Sequence, residues 1–392
     1  MNLVEILFWT CLALLFYCYI GYGLLLFIRN RVKNMLVSPE PKRAVELPTV
    51  TLVVAAYNEE TVLPEKIKNC IEIDYPAHLF NVIFVTDGST DYSKELLGHH
   101  DFITLLHQPE RRGKLAALKR AMQQVTTQIV VFSDANSMLN PGSIRAMVHH
   151  FSDKKVGGVA GEKKVLKINR SLVGEAEGLY WKYESFMKQQ DADFNTVVGA
   201  VGELFAIRTE LFHPFDEDLI LDDFVFSIHI CLSGYKIEYE PRAFASETPS
   251  KSLADEEKRR VRIAAGAYQV VDYLKQHLNV LRYPRLAIQY FSGRLLRWVA
   301  CPILILLALV TNIALVVNHQ GDTFNYLLLV QIIFYLLALA GWIFACIGRR
   351  MGVLGVPFYF VFMNLCLVKG FFNYVRGRQN TLWERSMREA FE

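Results

Sequence analysis

A chain of 392 residues is long enough for one or two domains with substantial cores. Its 42 Lys and Arg against 39 Asp and Glu give a formal charge of +3, too close to balance to imply a nucleic-acid partner. Hydrophobic residues make up 52% of the chain, high for a soluble protein, and the excess sits at the two ends.

From the start of the chain, residues 6–27 carry no charged side chain. A bilayer core about 30 Å thick needs about 20 apolar helical residues, so this run can cross it. Only Glu5 precedes it among charged residues, and its apolar core is longer than that of a cleavable leader. Residues 1–30 are therefore expected to form a retained transmembrane anchor. Arg29, Arg31, Lys33, Lys42 and Arg43 follow. Basic residues collect on the cytoplasmic side of a span, which predicts an outside N-terminus and a cytosolic middle region.

Residues 48–280 read as that cytosolic domain. Strand-like runs occur at 49–55, 82–85, 103–106 and 129–132, rich in Val and Ile. Helix-compatible stretches such as 114–124 separate them. This alternation predicts a mostly parallel sheet with helices on both faces. The order changes after about Gly157, with mixed segments at 203–208 and 236–240.

Residues 281–298 mix Arg285, Arg294 and Arg297 with Tyr290, Phe291, Leu295, Leu296 and Trp298. That pattern suits an amphipathic helix at the membrane interface; an ordinary linker helix is the plainer alternative. Residues 299–317 and 326–347 are uncharged and long enough to span. The link 318–325 has no Lys or Arg and belongs outside, while Arg349 and Arg350 return inside. Residues 352–368 are shorter and run into Lys369. Gly352, Gly355, Pro357 and Asn364 weaken this stretch as a regular helix. It completes a C-terminal membrane region, 299–375, either as a third span or as a re-entrant segment. The tail, 376–392, carries Arg376, Arg378, Arg385 and Arg388, which argue for an inside end, whereas a full crossing puts it outside.

The cysteines, Cys11, Cys18, Cys70, Cys231, Cys301, Cys346 and Cys366, lie mostly in apolar runs and show no Cys-x-x-Cys spacing. No disulfide framework is expected, and a reducing compartment suits the middle of the chain.

Four clusters carry chemistry. Tyr57-Asn58-Glu59-Glu60 follows the first strand of the domain, and Asp87-Gly88-Ser89-Thr90-Asp91 follows the second. Asp134-Ala135-Asn136 ends the run Val130-Val131-Phe132-Ser133. In a parallel sheet these strand tips share one rim, where ligands bind. Asp134 and Asn136 offer oxygen ligands of the kind that Mg²⁺ or Mn²⁺ takes, although a plain loop cap uses the same residues. Asp222-Asp223 heads an expected helix. Paired carboxylates suit general-base work, and acidic residues at a helix start equally cap it and complement its dipole.

With Arg112-Gly113-Lys114-Leu115-Ala116-Ala117-Leu118, Gly199-Ala200-Val201-Gly202 and Arg259-Arg260-Val261-Arg262-Ile263, these clusters fall in a set order over residues 51–266. In that order the chain resembles the membrane-embedded family-2 glycosyltransferases, the group of cellulose, chitin and hyaluronan synthases. The resemblance implies a GT-A type α/β nucleotide-sugar-binding domain, with a mostly parallel mixed sheet, plus α-helical transmembrane segments. It implies that Tyr57, Glu59 and Asp87 hold the uridine of a UDP-sugar, with Asp87 reading the base. Lys114 would contact the diphosphate, and Asp134 with Asn136 would hold Mg²⁺ or Mn²⁺. Asp223 would be the catalytic base, at an ordinary carboxylate pKa of about 4. Arg259 and Arg262 would cover the departing diphosphate, although Lys258, Arg259, Arg260 and Arg262 also fit a basic, lipid-facing run. Asp222 and Trp181 fall on the acceptor side. The stretch Tyr180-Trp181-Lys182-Tyr183-Glu184 offers rings for a sugar face or, equally, for a packed core.

Three positions depart from the family pattern. The second metal carboxylate is Asn136, which lacks one negative charge. The usual Glu-Asp pair is Asp222-Asp223. The family's Gln-x-x-Arg-Trp reads Arg259-x-x-Arg262-Ile263, and Ile263 has no π face for a sugar ring. The expectation is an inverting glycosyltransferase, multi-pass in the plasma (inner) membrane, with a cytosolic catalytic domain. It would use a UDP-sugar to extend a β-linked extracellular polysaccharide among membrane lipids, with export or accessory subunits as partners. A transferase adding one sugar to a lipid or lipid-linked acceptor is the alternative within enzymes, and a non-catalytic subunit is the alternative outside them.

Overall fold

The computed structural model describes residues 2–36, 46–166, 174–200, 202–213, 219–347, 349 and 351–377. Lys42, Arg43, Val201, Arg350, Arg378, Arg385 and Arg388, named above, lie outside these residues. The described residues divide into two compact units. One holds 46–166, 181–200, 202–213 and 219–249; the other holds 2–36, 174–180, 250–347, 349 and 351–377.

The first unit is built on a single sheet. Its strands are β1 Val50–Ala56, β2 Phe80–Asp87, β3 Ile103–Gln108, β4 Ile129–Asp134, β5 Met138–Leu139, β6 Val156–Val165, β7 Phe205–Arg208 and β8 Lys236–Glu247. Their spatial order is β3-β2-β1-β4-β7-β6-β8-β5. β1 lies parallel to both β2 and β4, and β2 parallel to β3. Every residue of β1 is buried, as a central strand covered on both faces requires. Val50, Leu52, Val54 and Ala56 face one way and pack with Leu63, Ile67 and Cys70 of helix Leu63–Ile71 and with Ile144 and Met147 of helix Ser143–Val148.

Beyond β4 the direction changes. β7 runs antiparallel to β4 and β6, β8 parallel to β6, and β5 antiparallel to β8. Four parallel pairings stand against three antiparallel ones, so the sheet is mostly parallel and mixed. Register decides where the chemistry collects. Ala55 stands opposite both Val85 and Asp134, so the tips of β1, β2 and β4 form one rim.

In the second unit, Leu3–Leu36, Pro284–Val317, Asp322–Cys346 and Gly352–Val375 are each long and apolar enough to cross a membrane. From Pro284 onward the basic and aromatic stretch 281–298 is continuous with the helix that ends at Val317. Phe8, Leu315 and Phe324 form one apolar cluster with Leu12, Val316 and Leu327. The Asn2 side chain reaches Gln320 at 3.3 Å beside it. Three of the four helices meet there; Gly352–Val375 contributes nothing to that cluster.

Gly352–Val375 has other neighbours. Phe358, Tyr359, Phe362 and Cys366 cluster with Phe344 and Ala345, at the far end of Asp322–Cys346, and with Leu253 and Val261 of helix Leu253–His277. Arg260 of that helix donates to the Tyr359 hydroxyl at 2.9 Å, and Tyr374 bonds Asp272. At Gly370 the two helices come so close that a Cβ would stand 2.4 Å from the Ala264 Cβ. By its contacts, helix Leu253–His277 groups with the apolar helices. Cys11, Cys18, Cys70, Cys231, Cys301, Cys346 and Cys366 are free thiols.

Candidate active site

The loops after β1 and β2 are laced together by side chain to backbone bonds. Asn58 adopts φ 53, a left-handed conformation that Asn tolerates better than most residues. Its amide N–H donates to Ser89 Oγ at 3.1 Å, and its Oδ1 accepts from Thr90 N at 2.8 Å. Glu59 N donates to Ser93 Oγ at 3.0 Å, and Glu60 N to Asp91 Oδ2 at 3.0 Å. The two motifs are thus one structural unit. It holds Glu59 buried and sets the Tyr57 ring 3.8 Å beneath the Arg111 guanidinium.

Asp87, the last residue of β2, is fully buried. Its carboxylate accepts from Arg112 N at 3.0 Å and Gly113 N at 2.7 Å. Gly88, at φ 68, lets that loop approach: a Cβ there would stand 2.9 Å from the Arg111 Cβ. Asp87 therefore anchors the turn from which helix Lys114–Met122 departs.

That anchoring delivers Lys114. Its Nζ donates to Asp134 Oδ1 at 2.5 Å, at the tip of β4. Burial alone would favour a neutral amine, but the carboxylates of Asp134, Asp222 and Asp223 outweigh it and hold the ammonium above its ordinary range. Burial pushes the Asp134 carboxyl up, against Lys114, which pulls it down. Asn136 is half-buried two residues on, with Ala135 buried between them. Among the described residues no cluster of three His, Cys, Asp or Glu side chains could hold a metal alone. One carboxylate plus one carboxamide oxygen does fit a hard divalent cation that takes its other ligands from phosphate and water.

Asp222 and Asp223 open helix Asp222–Leu232, and Asp222 is buried. The Asp223 Oδ1 accepts from Phe224 N at 2.8 Å. Burial first, then the charges of Asp222 and Glu203, push Asp223 up to about 7 despite Lys114. The ordinary carboxylate pKa expected from sequence is therefore corrected: sequence registers the residue, not its desolvation. Gly202 shows how near the parts stand. A Cβ on it would lie 3.1 Å from Lys114 Nζ and 3.4 Å from Asp223 Oδ2. Lys114 thus ties Asp134 and Asp223 into one electrostatic locus.

Beneath this locus is a buried layer that sequence reasoning missed. Lys66 donates to Ser133 Oγ at 2.9 Å and to the Ser137 carbonyl. Ser137 Oγ donates to Glu247 Oε1 at 2.5 Å, and Lys163 pairs with both Glu247 and Glu203. A signal for Lys66 was available, since it falls on the helical stripe of Leu63, Ile67 and Cys70 that faces the core. Trp181 lies against the same layer, with Lys163 Nζ 4.8 Å from its ring centroid. Arg259 and Arg262 belong to the other unit, where Arg259 Nε stands 3.7 Å from Glu256 Oε2. Between them, Arg260 is the buried member of the motif, bonded to Glu256 at 2.6 Å and to Tyr359.

Residues 51–214 match the family described as Glycosyl transferase family 2. Over 240 residues the chain is 29% identical to a poly-beta-1,6-N-acetyl-D-glucosamine synthase of Staphylococcus aureus (strain COL), covering 58% of this chain and 56% of that protein. It is 24% identical over 285 residues to the synthase of the same name from Staphylococcus epidermidis, covering 69% and 67%. The chain thus spans less than two thirds of the S. aureus relative's length. A mannosyltransferase from Pyrobaculum calidifontis, solved with GDP-Man and Mn²⁺, superposes with TM-score 0.72 at 22% identity over 96% of this chain and all of that one, a likeness of fold.

Proposed function

This chain carries a family-2 glycosyltransferase domain, and from that premise we propose that it extends a β-linked extracellular polysaccharide from a UDP-sugar, with inversion at the anomeric carbon. The observation that carries the proposal is the meeting of Lys114, Asp134 and Asp223 beside Gly202. A cation and a base at one point on a strand rim are what sugar transfer from a diphosphate requires. We infer UDP-N-acetylglucosamine as donor, because the curated relatives are named for a polymer of that sugar. The alternative of a single transfer to lipid has no such support.

In this mechanism the acceptor hydroxyl oxygen attacks the anomeric carbon while the bond to the UDP oxygen breaks. Asp223 accepts the hydroxyl proton, and a base held at about 7 is matched to work near neutrality. The Lys114 ammonium faces the negative charge that collects on the diphosphate. Asp134 and Asn136 would hold Mg²⁺ or Mn²⁺, which when bound adds charge stabilisation to the same leaving group. Tyr57, Glu59 and Asp87 serve the uridine, Arg259 and Arg262 the departing diphosphate, and Asp222 and Trp181 the acceptor. One displacement without a covalent intermediate gives a β product from an α-linked donor.

The membrane arrangement follows from charge and contact. Basic residues after the first anchor support a cytosolic catalytic domain at the plasma (inner) membrane. We infer three crossings rather than four. Helix Gly352–Val375 is absent from the outer cluster around Phe8, Leu315 and Phe324 and packs against the charged helix Leu253–His277. Its Asn364 also reaches Tyr19, midway along the first apolar helix, at 3.3 Å, and its Phe360 ring meets Phe334, midway along Asp322–Cys346, which supports a re-entrant segment that enters and leaves on the inner side.

Purified full-length protein in detergent, given UDP-N-acetylglucosamine or UDP-glucose with Mn²⁺, tests the function. A ladder of β-linked product with UDP release supports it. Mono-glycosylated lipid alone removes the polymer reading, and no UDP release from any donor removes the transferase reading in favour of a non-catalytic subunit.

A further inference from the structure

Lys66 is a buried cation that the mechanism does not use. It rises from helix Leu63–Ile71 with its side chain wholly enclosed. An ammonium taken out of water costs several kcal/mol unless its donors are met, and Met would fill similar space with no such cost. The partners of the Lys66 amine bracket one tripeptide. Nζ donates to Ser133 Oγ at 2.9 Å, immediately before Asp134, and to the Ser137 carbonyl, immediately after Asn136. The same segment is closed from within by Ser137 N donating to the Asp134 carbonyl at 3.2 Å. It is held from behind by Ser137 Oγ on Glu247, at 2.5 Å, and Glu247 is itself paired with Lys163.

We propose that Lys66 is a positioning residue for the divalent cation: by gripping Ser133 and Ser137 it fixes Asp134 and Asn136 as a pair of oxygen ligands. The proposal rests on the reading of Asp134 and Asn136 as the metal site. Its physical basis is the weakness of that pair. A site with one carboxylate and one carboxamide has little charge with which to draw a cation, so its affinity depends on holding both oxygens in place beforehand. Outer partners that orient metal ligands typically account for 10- to 100-fold in affinity. Lys66 touches neither ligand side chain, so it acts through the backbone and the flanking hydroxyl.

The test measures Mn²⁺ binding to full-length protein in detergent by electron paramagnetic resonance, at a fixed concentration of UDP, beside thermal unfolding without metal. Lys66→Met, Ser133→Ala and Asp134→Asn are compared with the wild type. Lys66→Met is expected to weaken Mn²⁺ binding about 10-fold or more and Ser133→Ala about threefold, with Ser133→Ala still folded and unfolding in one cooperative transition. Should Lys66→Met fail to fold, Ser133→Ala decides alone. Wild-type Mn²⁺ affinity in the folded variants, with binding lost in Asp134→Asn, overturns the positioning role and leaves the metal reading standing. Wild-type affinity in Asp134→Asn overturns the metal reading, and this proposal with it.

Discussion

The Nζ of Lys114 stands 2.5 Å from Asp134 Oδ1, and the same amine is the nearest atom to the point where a Cβ on Gly202 would be, 3.1 Å away. One cation thus joins a strand tip, a glycine turn and the head of the helix that bears Asp223. Each of the first predictions perturbs one side of that relationship.

Asp223→Asn removes the base and keeps the shape. Transfer should fall by about 10²- to 10⁴-fold while UDP binding stays close to wild type. UDP release and calorimetric UDP binding on the same preparation check it. Full turnover in this variant removes Asp223 from the base role.

The same carboxyl sets a pH dependence. A base works when ionised, so kcat/KM should rise with pH and level off above about 7. Stability moves the other way. The folded pKa lies above the unfolded value of about 3.9, so the unfolded chain loses this proton first, and stability drains between about pH 4 and 7. Asp223→Asn should therefore melt higher than wild type at pH 8. An activity profile flat from pH 5 to 8 contradicts the assignment.

Lys114→Met leaves the Asp134 carboxylate without its ammonium. A hydrogen bond to a charged group contributes about 1.5–3 kcal/mol, so donor KM should rise roughly 10- to 100-fold. Initial rates against UDP-sugar concentration measure this, and an unchanged KM shows that Lys114 meets no diphosphate.

Gly202→Ala tests closeness without altering charge. The new methyl presses on the flexible end of Lys114 and on Asp223 Oδ2, at 3.1 and 3.4 Å. Misplacing reacting groups by this much should lower kcat about tenfold or more, with the melting temperature nearly unchanged. Equal losses of kcat and of stability would point to a folding defect instead.

The membrane reading predicts which side residue 376 occupies. Arg376→Cys, in a background with the native cysteines replaced, should react with an impermeant maleimide in inverted vesicles and not in intact cells. The reverse pattern means that Gly352–Val375 crosses.

Much of this was legible in the residues. Short Val- and Ile-rich runs divided by helical stretches can be buried only as a parallel sheet, because each crossover must return the chain to the same edge. Uncharged runs of membrane length leave little choice of environment. The order of the motifs identified the rim residues, since strand tips are where such a sheet exposes polar groups. The tertiary structure decided what depends on distance and desolvation. Asp223 reads as an ordinary acid until burial beside Asp222 raises it to about 7. Lys66 shows in the sequence only as a position on a core-facing stripe, and folding sets it beneath the Asp134 loop; Arg260 reads as one basic residue in a run until Glu256 and Tyr359 enclose it. Gly352–Val375 reads from sequence as either a third span or a re-entrant segment, and its pairing with a charged helix supports the second. Composition and order along a chain fix which groups are available; how strongly they act on one another falls off with a separation that only folding sets.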